Sequence, residues 1–158
     1  MIEYLGYQLA GGGGENKIIN TATVLLKVEG KLIKETDIGE GPLEAIFKAV
    51  DRAIGIKVNL LNYSLKAEGE GKKALGKVEL LISISNQKAK GEAISRDVLE
   101  ASLLAYINAI NKILEDSPKE GKIIWGTCSA YFIDNKGRRY LLVYNKNKNG
   151  WMICPMAG

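Results

Sequence analysis

Two stretches of this chain follow one plan: paired strands, a glycine-marked turn, then an amphipathic helix, first over residues 38–54 and again over 94–114. A duplicated unit of this kind narrows the folds open to the chain. It also tends to set two helix starts side by side.

In the first copy Pro42 stands at the first helical position and Gly55 at the stop, the usual asymmetry of a helix with proline at its entry and glycine past its end. Leu43, Ile46, Phe47, Val50 and Ile54 recur at three- and four-residue spacing and predict a buried stripe, with Glu44, Lys48, Asp51 and Arg52 on the other side. In the second copy Ser95 is the expected N-cap, and Asp97 and Glu100 place negative charge near the first turn. Its stripe of Val98, Ser102, Ala105, Tyr106, Ala109, Ile110 and Ile113 has unusually small side chains. With Ala101 they predict close approach to the helix's own sheet or to a second helix.

Around these helices the alternation of apolar residues predicts strands over 4–10, 23–28 and 31–38, with Glu29-Gly30 as a hairpin turn. A long strand over 56–67 changes phase at Leu60-Leu61, which predicts a bulge. Val78, Leu80, Ile82 and Ile84 alternate on one face, Asn86 to Lys90 reads as a polar turn, and 91–94 as a short strand leading to the second helix, which ends near Ser117-Pro118. A further hairpin over 123–133 and 139–144 turns at Asp134-Asn135-Lys136-Gly137, with 151–156 as a candidate edge strand. The expected fold is α+β: duplicated βββα units with helices packed on antiparallel sheet, plus a C-terminal β-hairpin.

At 158 residues, 46% of them hydrophobic, the chain suits one domain with a substantial core. No apolar run approaches the roughly 20 residues needed to span a bilayer and no basic-then-apolar signal opens the chain, so a cytoplasmic location without membrane contact is expected. The net charge of +4 comes from lysines scattered among glutamates, apart from Lys146-Asn147-Lys148, which argues against nucleic acid. Gly11-Gly12-Gly13-Gly14 lacks the Lys-Ser/Thr of a phosphate-binding loop and reads as a connection. Cys128 and Cys154 have no metal-ligand spacing and read as reduced thiols. The chain contains no histidine, which removes the commonest proton shuttle and a principal ligand of catalytic metals. No cofactor, metal site or catalytic residue is therefore expected, and the chain is not expected to be an enzyme by itself.

Three segments carry a resemblance to a known family. They are Gly39-Glu40-Gly41-Pro42-Leu43-Glu44-Ala45-Ile46-Phe47-Lys48-Ala49-Val50-Asp51; then Leu61-Asn62-Tyr63-Ser64-Leu65-Lys66-Ala67 with Gly71 and Ala74-Leu75-Gly76-Lys77-Val78; and Ser95-Arg96-Asp97-Val98-Leu99-Glu100-Ala101-Ser102, running on to Ala105-Tyr106 and Asn108-Ala109-Ile110-Asn111. Together they resemble the C-terminal regulatory domain of 2-isopropylmalate synthase and its citramalate and homocitrate synthase relatives, over about residues 19–114. The resemblance implies a module that dimerises and binds the end-product amino acid, leucine or another branched-chain amino acid. It omits the catalytic barrel, which the module would serve in cis or in trans. On this basis residues 1–117 are expected to form the regulatory domain, as two repeats over about 1–55 and 56–117, with 118–158 as its hairpin extension.

A zwitterionic amino acid needs an anion site, a cation site and an apolar slot, and two neighbouring helix starts supply all three. Leu43 and Glu44 offer backbone N–H groups to a carboxylate, behind Gly39 and Gly41, while Pro42 offers none. Asp97, or carbonyls just before Ser95, would receive the ammonium. Tyr63, Leu65 and Ala67, with Ile94 and Ala101, would line the slot. Plain core roles for the apolar residues, a helix-charge role for Asp97 and turn roles for Gly39 and Gly41 remain open. Two other functions stay in view: a structural dimerisation or protein-interaction module without a ligand, and a basic α+β nucleic-acid-binding module.

Overall fold

The computed structural model describes residues 1–11, 19–116, 121–125, 130–134, 136–145 and 150–155. Gly12-Gly13-Gly14, Ser117-Pro118, Cys128 and Lys146-Asn147-Lys148 lie outside them. The first repeat is β1 (Ile2–Ala10), β2 (Asn20–Val28), β3 (Lys31–Gly39) and α1 (Pro42–Ile54); the second is β4 (Asn59–Glu68), β5 (Leu75–Ile84), β6 (Gln87–Ser95) and α2 (Val98–Glu115). Each set of three strands forms an antiparallel sheet in sequence order.

The two repeats match in detail. Both hairpins between the second and third strands close through two residues of positive φ, Glu29-Gly30 (48° and 78°) and Ser85-Asn86 (46° and 71°), as expected of turns whose twist suits the flanking strands. The first strand of each repeat carries an irregularity, at Leu5 and at Leu61, the latter where the sequence changes phase. The second turn is tighter than expected. Gln87 already pairs with Ile84, so residues from Gln87 to Lys90 belong to β6 rather than to a polar turn.

Each helix lies on its own sheet because glycine makes room for it. A Cβ on Gly91 would fall 1.9 Å from the Ala105 carbonyl oxygen and 2.9 Å from the Ala109 Cβ, and one on Gly39 would fall 2.5 Å from the Ala45 nitrogen. The small-sided face of α2 thus meets its sheet rather than a second helix. On α1 the same preference for close contact turns Ala45, Ala49 and Ala53 inward with Ile46, Val50 and Ile54, and leaves Leu43 and Phe47 half-buried at the flank. Both repeats contribute to one apolar cluster, in which Leu26, Ile46, Ile82, Leu103 and Tyr106 are fully buried. Each such side chain contributes about 1.5–3 kcal/mol.

Polar contacts tie the repeats together. The Asn111 side chain accepts the Ile2 N–H and donates to the Ile2 carbonyl, each at 2.8 Å. Tyr106 of α2 stacks on Phe47 of α1 with ring centroids 4.3 Å apart, and its hydroxyl donates to Asp51 at 2.7 Å. The other Asp51 oxygen accepts the Val58 N–H at 3.3 Å. Burial outweighs these two bonds and pushes the Asp51 carboxyl up to about 6.

The tail contains the expected hairpin and edge strand within a larger sheet. The stretch 123–133 is two strands rather than one, and β7 (Gly121–Trp125), β8 (Ala130–Asp134), β9 (Arg139–Asn145) and β10 (Gly150–Pro155) form a four-stranded antiparallel sheet in the order β10-β9-β8-β7. Its hairpin turn is where the sequence places it. Buried Asp134 accepts the Lys136 and Arg138 N–H groups and the Arg138 Nε–H. Cys154 carries a free, buried thiol, and burial pushes its pKa up. Among the described residues no helix is long and apolar enough to cross a membrane.

Two outcomes follow from this packing. Gly91→Ala should cost about 3 kcal/mol, because backbone rather than a mobile side chain blocks the new methyl, whereas Gly6→Ala, with nothing within 4 Å of its Cβ position, should shift stability by less than about 0.5 kcal/mol; urea denaturation reads both. Asp51 takes up its proton more readily when folded, so its share of stability should be flat near pH 7.5 and grow as pH falls from about 6 towards 3.8. Asp51→Asn should remove that trend and raise stability at pH 7.5 by about 1–2 kcal/mol, measured as denaturation midpoints across pH.

Candidate functional site

Helical periodicity puts Leu43, Phe47 and Asp51 in one row along α1. Because the alanine row takes the sheet, this row faces the space above β4. Together with residues 55–58, Leu60 and Tyr63 of β4, and Tyr106 of α2, it encloses a cleft of about 1020 Å³. Its walls are mainly apolar. Lys48, Arg52 and Lys57 stand at its rim; Lys48 pairs with Glu44 at 2.6 Å and Arg52 with Glu35 at 3.3 Å. Asp51, assigned by its spacing to the solvent side of α1, instead reaches into the cleft.

Of the residues singled out in the sequence, Leu43, Glu44 and Tyr63 share this cleft. Gly41 is the N-cap of α1, in extended conformation, and a Cβ there would meet nothing within 4 Å. No protein atom therefore crowds this position. Gly39 is required instead by its contact with Ala45. The Glu44 carboxylate reaches back to the Glu40 N–H at 3.1 Å, in the manner of a capping box.

Tyr63, Leu65 and Ala67 do share the helix-facing side of β4, since they pair with Leu80, Val78 and Gly76. The Tyr63 and Ser102 hydroxyls lie 2.7 Å apart. Leu65 and Ala67 are exposed. Ile94 cannot join them. It pairs with Lys77 on the opposite face, because the helix-facing position beside Val78 belongs to Ala93. Ala101 is fully buried in the core, so it does not line an open slot either.

The start of α2 is organised by Asp97, which displaces Ser95 as N-cap by accepting the Leu99 N–H at 2.9 Å. Ser95 accepts the Asp97 N–H at 3.2 Å and donates to Glu100 at 2.8 Å. From β1, the Tyr7 hydroxyl donates to Asp97 and the Tyr4 hydroxyl to Glu100 at 3.3 Å. Burial, then the neighbouring Glu100 charge, pushes Tyr4 up to about 12; burial and the bond to Asp97 raise Tyr7 likewise. The Asp97 carboxylate thus holds two donors already. Tyr4, Tyr7, Leu60 and Tyr106 were not picked out as site residues from the sequence. An acidic residue in line with Leu43 and Phe47 was the available signal for Asp51.

Comparison with known proteins identifies the family. A family model described as the LeuA allosteric (dimerisation) domain matches residues 11–114. The chain is 44% identical over 101 residues to 2-isopropylmalate synthase of Ruminiclostridium cellulolyticum, covering 64% of this chain and 20% of that enzyme. It is 44% identical over 103 residues to that of Pelotomaculum thermopropionicum (65% and 20%) and 42% over 98 residues to that of Clostridium kluyveri (62% and 19%). The chain spans about a fifth of the length of the curated relatives it matches. β1 and the four-stranded sheet lie outside the family match, whereas α1, the cleft and α2 up to Leu114 lie within it; the chain belongs to the LeuA allosteric (dimerisation) domain family.

Proposed function

We propose that this chain is an allosteric regulatory and dimerisation domain that binds a branched-chain amino acid, leucine foremost, for feedback control of a 2-isopropylmalate synthase-type acyltransferase. It does so as part of that enzyme or as a free-standing subunit, and has no catalytic role of its own. The observation that carries this proposal is a family match over a fold whose first helix has as its N-cap a glycine, which offers no side-chain bond, beside an apolar cleft. The first-turn N–H groups of Leu43 and Glu44 suit a carboxylate, and Gly41 leaves its approach clear. Phe47, Leu60 and Tyr63 offer apolar surface to a branched side chain. In this proposal the ammonium goes to the α2 start, to Asp97 or the carbonyls before Ser95, and Tyr7 gives up its bond to make room.

That last requirement also favours a second reading, a dimerisation module without a ligand, since Asp97 is satisfied by Tyr7 and Leu99. Sedimentation with and without leucine separates the two: a ligand-indifferent dimer supports the second.

Millimolar leucine should raise the thermal midpoint by several degrees, with stabilisation of about 2.7 kcal/mol at a hundredfold excess over Kd, and isoleucine and valine should do less. Gly41→Asn supplies a side chain that itself bonds the N–H of Leu43 or Glu44. The variant should therefore be at least as stable as the parent yet lose its response to leucine. A full leucine shift in Gly41→Asn would refute the helix-start site.

A further inference from the structure

The far end of the cleft holds a charge that the proposed leucine site does not use. Asp51 lies two turns beyond Leu43 on α1, about 12 Å along the axis, whereas the ammonium and carboxylate of an α-amino acid sit on one carbon. A ligand anchored at the first turn cannot also place its ammonium there.

We propose that the Asp51 end of the cleft is a second binding site, one that takes a primary ammonium carried on a compact apolar body. The carboxylate faces the cleft, and its two partners, the Tyr106 hydroxyl and the Val58 N–H, are neutral donors. A desolvated carboxylate without a cation costs stability, and burial accordingly holds this one toward its neutral form. The nearest cations on α1 are engaged elsewhere, Lys48 with Glu44 and Arg52 with Glu35. Phe47, Val58 and Leu60 form the apolar wall beside it, where a branched alkyl group displaces water. An arriving ammonium supplies the missing charge and holds Asp51 in its ionised form. A purely structural latch would need only the links to Tyr106 and Val58, which an asparagine keeps by accepting the Val58 N–H on its oxygen and donating its amide N–H to the Tyr106 hydroxyl. The two roles therefore separate on Asp51→Asn.

Two kinds of molecule offer this chemistry, a simple alkylamine and an amino acid whose carboxylate then faces Lys57 or Lys48. Isopentylamine and leucine are the probes, with isocaproate, which lacks the ammonium, as control. Each is titrated into the full chain and followed by calorimetry and by amide chemical shifts near Phe47 and Val58. Isopentylamine should bind saturably at pH 7.5, isocaproate should not bind at this end, and Asp51→Asn should weaken the amine at least tenfold while keeping the fold. Tyr106→Phe, which leaves the carboxylate in place, should retain amine binding. The titratable groups that share the cleft with Asp51 are Tyr106 from α2, Tyr63 from β4, Glu44, Lys48 and Arg52 from α1, Lys57 from the connecting segment and Asp37 from β3; of these only Tyr106 bonds it. Affinity should fall about tenfold between pH 7.5 and 5 as the carboxyl near 6 takes up its proton.

The proposal fails if the wild type shows no saturable uptake of isopentylamine, or if Asp51→Asn binds it undiminished. Amine binding through Asp51 without any response to leucine would uphold this site and sink the leucine reading. Leucine binding that Gly41→Asn abolishes, without uptake of the amine, would do the reverse.

Discussion

Gly91 and Gly39 govern how near each helix comes to its sheet, and much of the molecule follows from that distance. With Ala105 and Ala109 resting on Gly91, α2 commits its small-sided face to β6. With Ala45 against Gly39, α1 does the same with its alanine row. Side chains too large for such contact are rotated to the flanks, which is why Leu43 and Phe47 border a cleft rather than fill the core. The hollow is thus a by-product of tight seating elsewhere.

Tyr106 binds the two repeats into one body. It is buried, stacks on Phe47 and donates its hydroxyl to Asp51, so that a side chain of the second helix completes the surroundings of an acid on the first. Burial raises the Tyr106 pKa well above the ordinary tyrosine range, and it remains a donor at any physiological pH. Asp51 is therefore held by donors that do not change state, and its own protonation becomes the variable.

Much of this was legible in the chain. Pro42 and Gly55 bracket α1, the phase change at Leu60-Leu61 marks the β4 bulge, and Glu29-Gly30 marks a hairpin turn. The small residues of α2 announced close approach, and the resemblance named the family. Other features depend on contacts that a one-dimensional pattern does not encode. Ser85-Asn86 carries no glycine, so its tight turn was hidden. Ser95 and Asp97 are both good N-caps, and the tertiary bond from Tyr7 accompanies the choice of Asp97. Ile94 was assigned to the slot because the pairing of Ala93 with Val78, which fixes its face, needs the register of β6 on β5. Asp51 looked solvent-facing because helical spacing alone gives two flanks of α1 nearly equal standing, and the sheet picks between them.

The irregularities at Leu5 and Leu61 have a bearing on how such a chain meets other chains. β1 and β4 are outermost in their sheets, and outermost strands offer unpaired backbone groups to any extended segment that passes. A kink with one surplus residue breaks that regular spacing and twists the strand away. Continuation of either sheet into a neighbouring molecule is thereby disfavoured along these two borders, which leaves β3 and β6 as the regular edges of the two sheets.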